Sequence, residues 1–335
     1  MTDEVAPLRS TGVGSWPGTD MAGALRIAFA ECPELPYLPE LPARGAPAEL
    51  VGRGTALLSG LAVDLQPAGW RLADASSRDH RLAKATLRSD LDLLEEVAQG
   101  YAGCFKLSVA GPWTLAASVE RPRGDRVLAD SGARRDLAQS LAEGVAGLLL
   151  ELRRRLPDLD LVLQLDEPLL PAVLTGAVST ASGFSRHRAV DRPEVSGAVA
   201  GVGQRLAEVG LEVPVAVHCC APGVPVELLA RAGVRGLSVD LNQLATADWD
   251  ALGLAMEEGV WLGAGALPTD RSASPDEVAA RVLRPLRTLG LDPEVAAHTV
   301  VTPACGLAGL PPAAAMQALR TVRTAAAIVT DQIAA

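Results

Sequence analysis

Eight short apolar runs, each followed by a helical pattern, predict an α/β protein: a single-domain (β/α)8 TIM barrel over residues 1–335. Three observations carry this expectation. The first is the alternation itself, which a parallel sheet requires because each crossover needs a helix. The second is an apolar share of 49%, enough for a large buried core. The third is the lack of any Pro/Gly/Ser-rich linker, composition break or internal repeat that would divide the chain. A doubly wound open sheet is the alternative that the same alternation allows.

The elements follow in order. Thr11–Gly14 reads as the first strand, before a helix near Asp20–Cys32. Tyr37–Glu40 is the second, followed by an Ala/Leu-rich helix near Pro47–Leu61. Ala62–His80 holds Trp70 and several polar residues, and reads as an irregular excursion outside the sheet. Ser89–Gly100 is helical, with leucines at helical spacing. Phe105–Val109 and Asp160–Leu165 are strands flanking one long helix, Arg134–Leu156, whose terminal arginines suit the helix dipole. Helix Pro193–Val209 leads to strand Val213–Val217, helix Val224–Ala232 and strand Gly236–Val239. Helix Ala247–Glu258 and strand Val260–Gly263 come next. Ser274 and Glu277 form a capping-box signal for a helix reaching Leu289. Thr299–Thr302 is the eighth strand and Pro312–Ile333 an Ala-rich closing helix.

Composition excludes several classes. A net charge of −10 argues against nucleic-acid or anionic-membrane surfaces. No run approaches a membrane span, and the acidic N-terminus lacks the apolar core of a secretory signal. Five cysteines, an odd number in a chain this large, read as reduced thiols of a cytoplasmic protein. The only lysines, Lys84 and Lys106, read as codon bias without functional weight.

Barrel chemistry lies at the C-terminal ends of the strands. Those positions hold Ser15, Glu40, Asp166 and Glu167, His218 and Cys220, Asp240, Asp270 and Cys305. In the run VPVAVHCC, an extended backbone puts His218 and Cys220 on one face and Cys219 on the other. Thiolates, imidazole and a carboxylate are zinc ligands, which points to a Zn2+ site of His218, Cys220, Asp240 and Cys305. The plainer alternative makes Cys305 a small buried hydrophobe and Asp240 a helix cap. Trp16 and Trp113, beside motif residues, suit either a donor pocket or core packing.

The segments TGVGSWPGT (Thr11–Thr19), KLSVAGPWTL (Lys106–Leu115), LQLDEP (Leu163–Pro168), VHCC (Val217–Cys220), LSVD (Leu237–Asp240) and VTPACGL (Val301–Leu307) resemble the catalytic barrel of cobalamin-independent methionine synthases. The resemblance implies the same four zinc ligands, with Asp240 standing where the family has Glu. It implies that Gly14 and Ser15 receive the homocysteine carboxylate, and that Glu40 and Asp166 hold its amino group. It implies a short form without the related N-terminal barrel. The family's acid–base His aligns with Asp270, whose proton-transfer properties differ. A methylated corrinoid, free or on a corrinoid protein, therefore stands beside 5-methyltetrahydrofolate as the expected donor. Two other readings remain: a uroporphyrinogen-decarboxylase-like barrel, which needs no zinc thiolates, and a zinc thiol-binding protein without turnover.

Overall fold

The computed structural model describes residues 8–334. Its main sheet has seven strands, all pairing in parallel, in the order β1-β9-β8-β7-β6-β5-β4. They are β1 (Arg9–Ser10), β4 (Gly103–Ala110), β5 (Leu159–Asp166), β6 (Val215–Cys219), β7 (Gly236–Asp240), β8 (Trp261–Leu267) and β9 (Thr299–Pro303). The remaining two, β2 (Ala62–Gln66) and β3 (Gly69–Ala73), form a separate antiparallel hairpin. The stretch predicted to be irregular is therefore ordered, although it stays outside the main sheet.

The predicted second strand is the main departure. Tyr37–Glu40 makes only isolated bridges, Tyr37 to Lys106 of β4 and Glu40 to Ser15. Pro33, Pro36, Pro39 and Pro42 recur at every third residue here. Proline has no N–H, so no continuous ladder can form. The donors that remain are used: Leu38 N–H reaches Lys106 O at 3.0 Å and Glu40 N–H reaches Gly14 O at 3.1 Å. The segment thus touches both edges of the curled sheet.

The first strand also starts earlier than predicted. It pairs at Arg9–Ser10, and Thr11 N–H still bonds Val301 O at 3.2 Å. Beyond it the Val13 carbonyl leaves the ladder, taken up by Lys106, Ser108 and Gln164 side chains. Helix Arg78–Val97 begins well before Ser89 because Ser77 caps it, accepting from His80 N–H at 3.0 Å. The Ser274/Glu277 capping box is present, with bonds of 2.7 and 3.2 Å. Short helices at Pro112–Ser118, Leu170–Thr175 and Pro293–Ala296 fall below the length at which periodicity is readable.

Side-chain alternation divides the sheet into two surfaces. Phe105, Leu107, Leu163, Leu165, Val217, Leu237, Leu262 and Val301 are buried on the helix-facing side. Lys106, Ser108, Gln164, Asp166, His218 and Ser238 share the opposite, inner side, as the register Ala110–Asp166–His218–Ser238 requires. Among the described residues, no helix is long and apolar enough to cross a membrane.

A buried ion cluster locks the proline segment in place. Asp90 takes a two-pronged bond from Arg44 at 2.7 and 2.8 Å and a third from Arg53 at 3.3 Å. Arg53 also donates to Pro39 O at 3.1 Å. Removing one member of such a cluster leaves buried charge uncompensated. Asp90→Ala is expected to cost about 3–5 kcal/mol in chemical denaturation. A loss below about 1 kcal/mol would show that the arginines reach water instead.

Candidate active site

His218 lies in β6 on the inner face, and Cys220 follows the strand's last residue. Cys219 points the other way: it is buried, with its Sγ toward Ala221 O, and burial pushes its thiol up to about 12. Cys305 follows β9, which is separated from β6 by β7 and β8. Curling of the sheet closes that gap. Cys220 Sγ and Cys305 Sγ are 3.2 Å apart, and the ligand atoms of His218, Cys220 and Cys305 all lie within 4.8 Å of one another.

The imidazole meets a residue of the LSVD segment to which the sequence alone assigns no role. Ser238, its register partner on β7, places Oγ 3.0 Å from His218 Nδ1. In the tautomer whose Nδ1–H donates to Ser238, Nε2 keeps its lone pair. Nε2 is buried and has no hydrogen-bond partner. A partnerless buried nitrogen facing two thiols is the donor set that zinc prefers. Cys305 is drawn toward thiolate by the bond from Cys220 and by His218, while its bond with Cys305 and burial push Cys220 up.

Asp166 stands beside this group, and Glu40 beside Asp166. Asp166 pairs in register with His218 and accepts from Gln164 Nε2 at 2.7 Å. Burial raises its pKa, against the opposing pull of His218, Gln164 and Lys106. Glu40 is pushed up to about 7, chiefly by burial, with Arg53 opposing and Asp166 adding to the rise. Glu40 O accepts from Trp16 N–H at 2.7 Å, which sets it against the Gly14–Ser15 turn. Ser15 in turn meets the loop of Cys305: its carbonyl accepts from Leu307 N–H at 3.0 Å, and Ala308 N–H lies 3.4 Å from its Oγ. Gly306 leaves room there for the Ser15 hydroxyl, which a Cβ would displace.

The other two sequence-derived candidates lie apart. Asp240 ends β7, and its carboxylate accepts from Asn242 N–H at 2.9 Å and Asn242 Nδ2 at 3.0 Å, capping a short turn. It is not in the His218–Cys220–Cys305 group. Asp270 is exposed in the loop after β8, also outside that group.

Glu167, adjacent to Asp166, has a structural role. Its carboxylate accepts from Trp113 N–H at 2.9 Å, Thr114 N–H at 2.7 Å and Thr114 Oγ1 at 2.7 Å, anchoring the start of helix Pro112–Ser118. Burial pushes it up to about 7 despite these donors. Gly111 leaves room for that carboxylate. The D-E-P and G-P-W-T segments are therefore one unit. Trp16 and Trp113 are both buried, and Trp113 Nε1 donates to Val195 O at 3.1 Å, so both indoles pack in the core. A cleft of about 720 Å³ between helices Ser131–Arg155 and Arg192–Glu208 lies on the outer layer, away from the thiols.

A curled parallel sheet with an imidazole–dithiol group at its C-terminal end defines an α/β protein with a metal-type centre. The family described as cobalamin-independent synthase, catalytic domain, matches residues 97–328, and the chain belongs to that family. A B12-independent methionine synthase from Shewanella sp. W3-18-1, solved with selenomethionine, is similar with a TM-score of 0.66 and 16% identity, covering 98% of this chain and 99% of that one. This likeness is one of fold. A methylaspartate ammonia lyase mutant from Clostridium tetanomorphum is more distant, with a TM-score of 0.48, 14% identity and coverage of 99% and 62%. No curated protein matches by sequence. Membership of a cobalamin-independent family gives no support to the corrinoid partner considered above.

Ser238 offers a direct test of the centre. Removing the group that orients a histidine ligand typically weakens metal affinity about 10–100-fold. Ser238→Ala is expected to show that loss in a competitive chelator titration with zinc, without a change in zinc stoichiometry.

Proposed function

We propose that the protein is a zinc-dependent methyltransferase that transfers the methyl group of 5-methyltetrahydrofolate to homocysteine, giving methionine. The observation that carries the reading is the buried, partnerless His218 Nε2 beside the Cys220 and Cys305 thiols, with Asp166 and Glu40 alongside. In this reading Tyr37–Glu40 serves as the eighth stave of a closed barrel, and residues 1–335 form one domain. Five free cysteines fit a reducing, cytoplasmic setting.

His218, Cys220 and Cys305 would hold the zinc, with Asp240 as the fourth ligand once its carboxylate leaves Asn242. When bound, zinc supplies a lowered pKa for the substrate thiol while the sulfur stays nucleophilic. The remaining work belongs to the chain. Asp166 and Glu40 receive the substrate ammonium, two carboxylates against one cation. The Gly14–Ser15 turn receives the substrate carboxylate through N–H groups and the Ser15 hydroxyl. Gripping both ends of the amino acid aims its side chain at the centre and lowers the entropic part of the barrier. In the displacement, the N–CH3 bond of the donor breaks as the S–CH3 bond forms. The proton lost by the thiol is balanced by one gained at the donor nitrogen, which we assign to Asp270 on the loop after β8. The family's independence of cobalamin supports this choice of donor.

Zinc-loaded protein supplied with L-homocysteine and 5-methyltetrahydrofolate is expected to form methionine. Cys305→Ser is expected to lose zinc and turnover together. A mutant fully active without metal, or a wild type that binds one zinc per chain and forms no methionine, would overturn the reading.

Glu40 gives a separate pH test. Its carboxyl titrates near pH 7, and only the ionised form attracts an ammonium. L-Methionine, which has no thiol to titrate, is expected to bind more tightly as pH rises from 6 to 8. The gain should approach tenfold per unit below pH ~7 and level off above it. Calorimetry in buffers of different ionisation enthalpy should show proton release, and Glu40→Gln should abolish both effects.

A further inference from the structure

Lys106 is enclosed inside the curled sheet, 1% exposed, and none of the salt bridges among the described residues involves it. Its ammonium has three donors and meets three acceptors: Gly12 O at 2.6 Å, Gln164 Oε1 at 2.7 Å and Val13 O at 2.9 Å. The Tyr37 ring adds a cation–π contact at 5.6 Å. Burial lowers its pKa only to about 8, so the cation persists at neutral pH.

The two targets of this ammonium lead to opposite halves of the proposed amino-acid site. Gly12 and Val13 lead directly into the Gly14–Ser15 turn. The Val13 carbonyl is fastened further by Ser108 Oγ at 3.1 Å and Gln164 Nε2 at 3.0 Å. On the other side, holding Gln164 by Oε1 fixes its amide orientation, so Nε2 is directed at Asp166 Oδ1, 2.7 Å away. One buried cation thus ties the carboxylate-binding turn to the ammonium-binding carboxylate. An apolar side chain could fill the same space without the desolvation cost of a charge. What it could not do is set the spacing between the two ends.

We propose that Lys106 is a positioning residue which, through Gln164, fixes the separation between the Gly14–Ser15 turn and Asp166 and so selects thiols that carry an α-amino acid group. The inference rests on the substrate roles given to those residues above. Lys106 touches neither the substrate nor the metal ligands; it acts on the two elements that grip the amino acid.

Two variants test it. Lys106→Met removes the clamp. Gln164→Glu leaves Lys106 an acceptor but takes away the amide donor to Asp166 and Val13, and remains informative if Lys106→Met does not fold. Each zinc-loaded variant is compared with wild type on L-homocysteine and on 1-propanethiol, a thiol without amino or carboxylate groups, and in calorimetric binding of L-methionine. The expected result is a KM for homocysteine raised about 10–100-fold with a smaller change in kcat, and methionine binding weakened to match. Zinc content and the rate with propanethiol, where wild type shows one, stay near wild type. A folded, zinc-loaded Gln164→Glu protein with homocysteine KM and methionine affinity within about twofold of wild type overturns the proposal. Equal loss on both thiols overturns it as well, because that is the signature of general damage. Failure of the wild type itself to methylate homocysteine or bind methionine would fall on the proposed function instead.

Discussion

Curvature of a parallel sheet is the constraint on which the site depends. Cys220 and Cys305 are far apart in sequence and leave strands separated by two others, so a flat sheet would hold their sulfurs about 15 Å apart, three strand spacings. Curling brings them to 3.2 Å. The same curvature turns one face of every strand inward, and parallel register then sets Asp166, His218 and Ser238 side by side. The imidazole's orientation, the partnerless Nε2 and the neighbouring carboxylate all follow from that register.

An inward face lined by polar groups must satisfy them internally. The chain does so with two neighbouring hydrogen-bonded sets. Lys106 is held by backbone carbonyls and Gln164, Gln164 by Val13 O and Asp166, and His218 by Ser238. His218 Nε2 and Thr302 Oγ1 are left without partners, and the imidazole is the one grouped with the two thiols. Such sets are rigid because each member has little freedom to reorient without leaving a partner unsatisfied. Rigidity suits a site that must hold a small, flexible amino acid by both ends. The Glu167 cap on helix Pro112–Ser118 extends the same order outward from the strand that carries Asp166.

Departures between sequence pattern and structure have identifiable causes. Tyr37–Glu40 has the composition of a strand, but the prolines around it remove ladder donors, and only bridges remain. Ala62–His80 lacks clean alternation because its hairpin stands outside the main sheet, pairing within itself and with Glu120. Helix Pro112–Ser118 is too short to show periodicity, and its start depends on Glu167, distant in sequence. Asp240 illustrates competition at a strand end: the carboxylate that could ligate a metal instead satisfies Asn242 in the next turn.

The sequence by itself determined the α/β alternation, most strand positions, the opposite facing of His218 and Cys219, and the motifs that mark the family. These are local properties: apolar periodicity, cap residues and short-range spacing are written in consecutive residues. The motifs lead to the expectation that His218, Cys220 and Cys305 share a site; tertiary structure alone decided that Asp240 stands outside that group, that Ser238 lies against the imidazole, and that Ser15 meets Gly306. It also gave meaning to Lys106, which opens the KLSVAGPWTL segment but in sequence reads without functional weight. The reason is physical. A buried hydrogen-bond network is defined by register and curvature across strands, and neither can be read from the order of residues along any one of them.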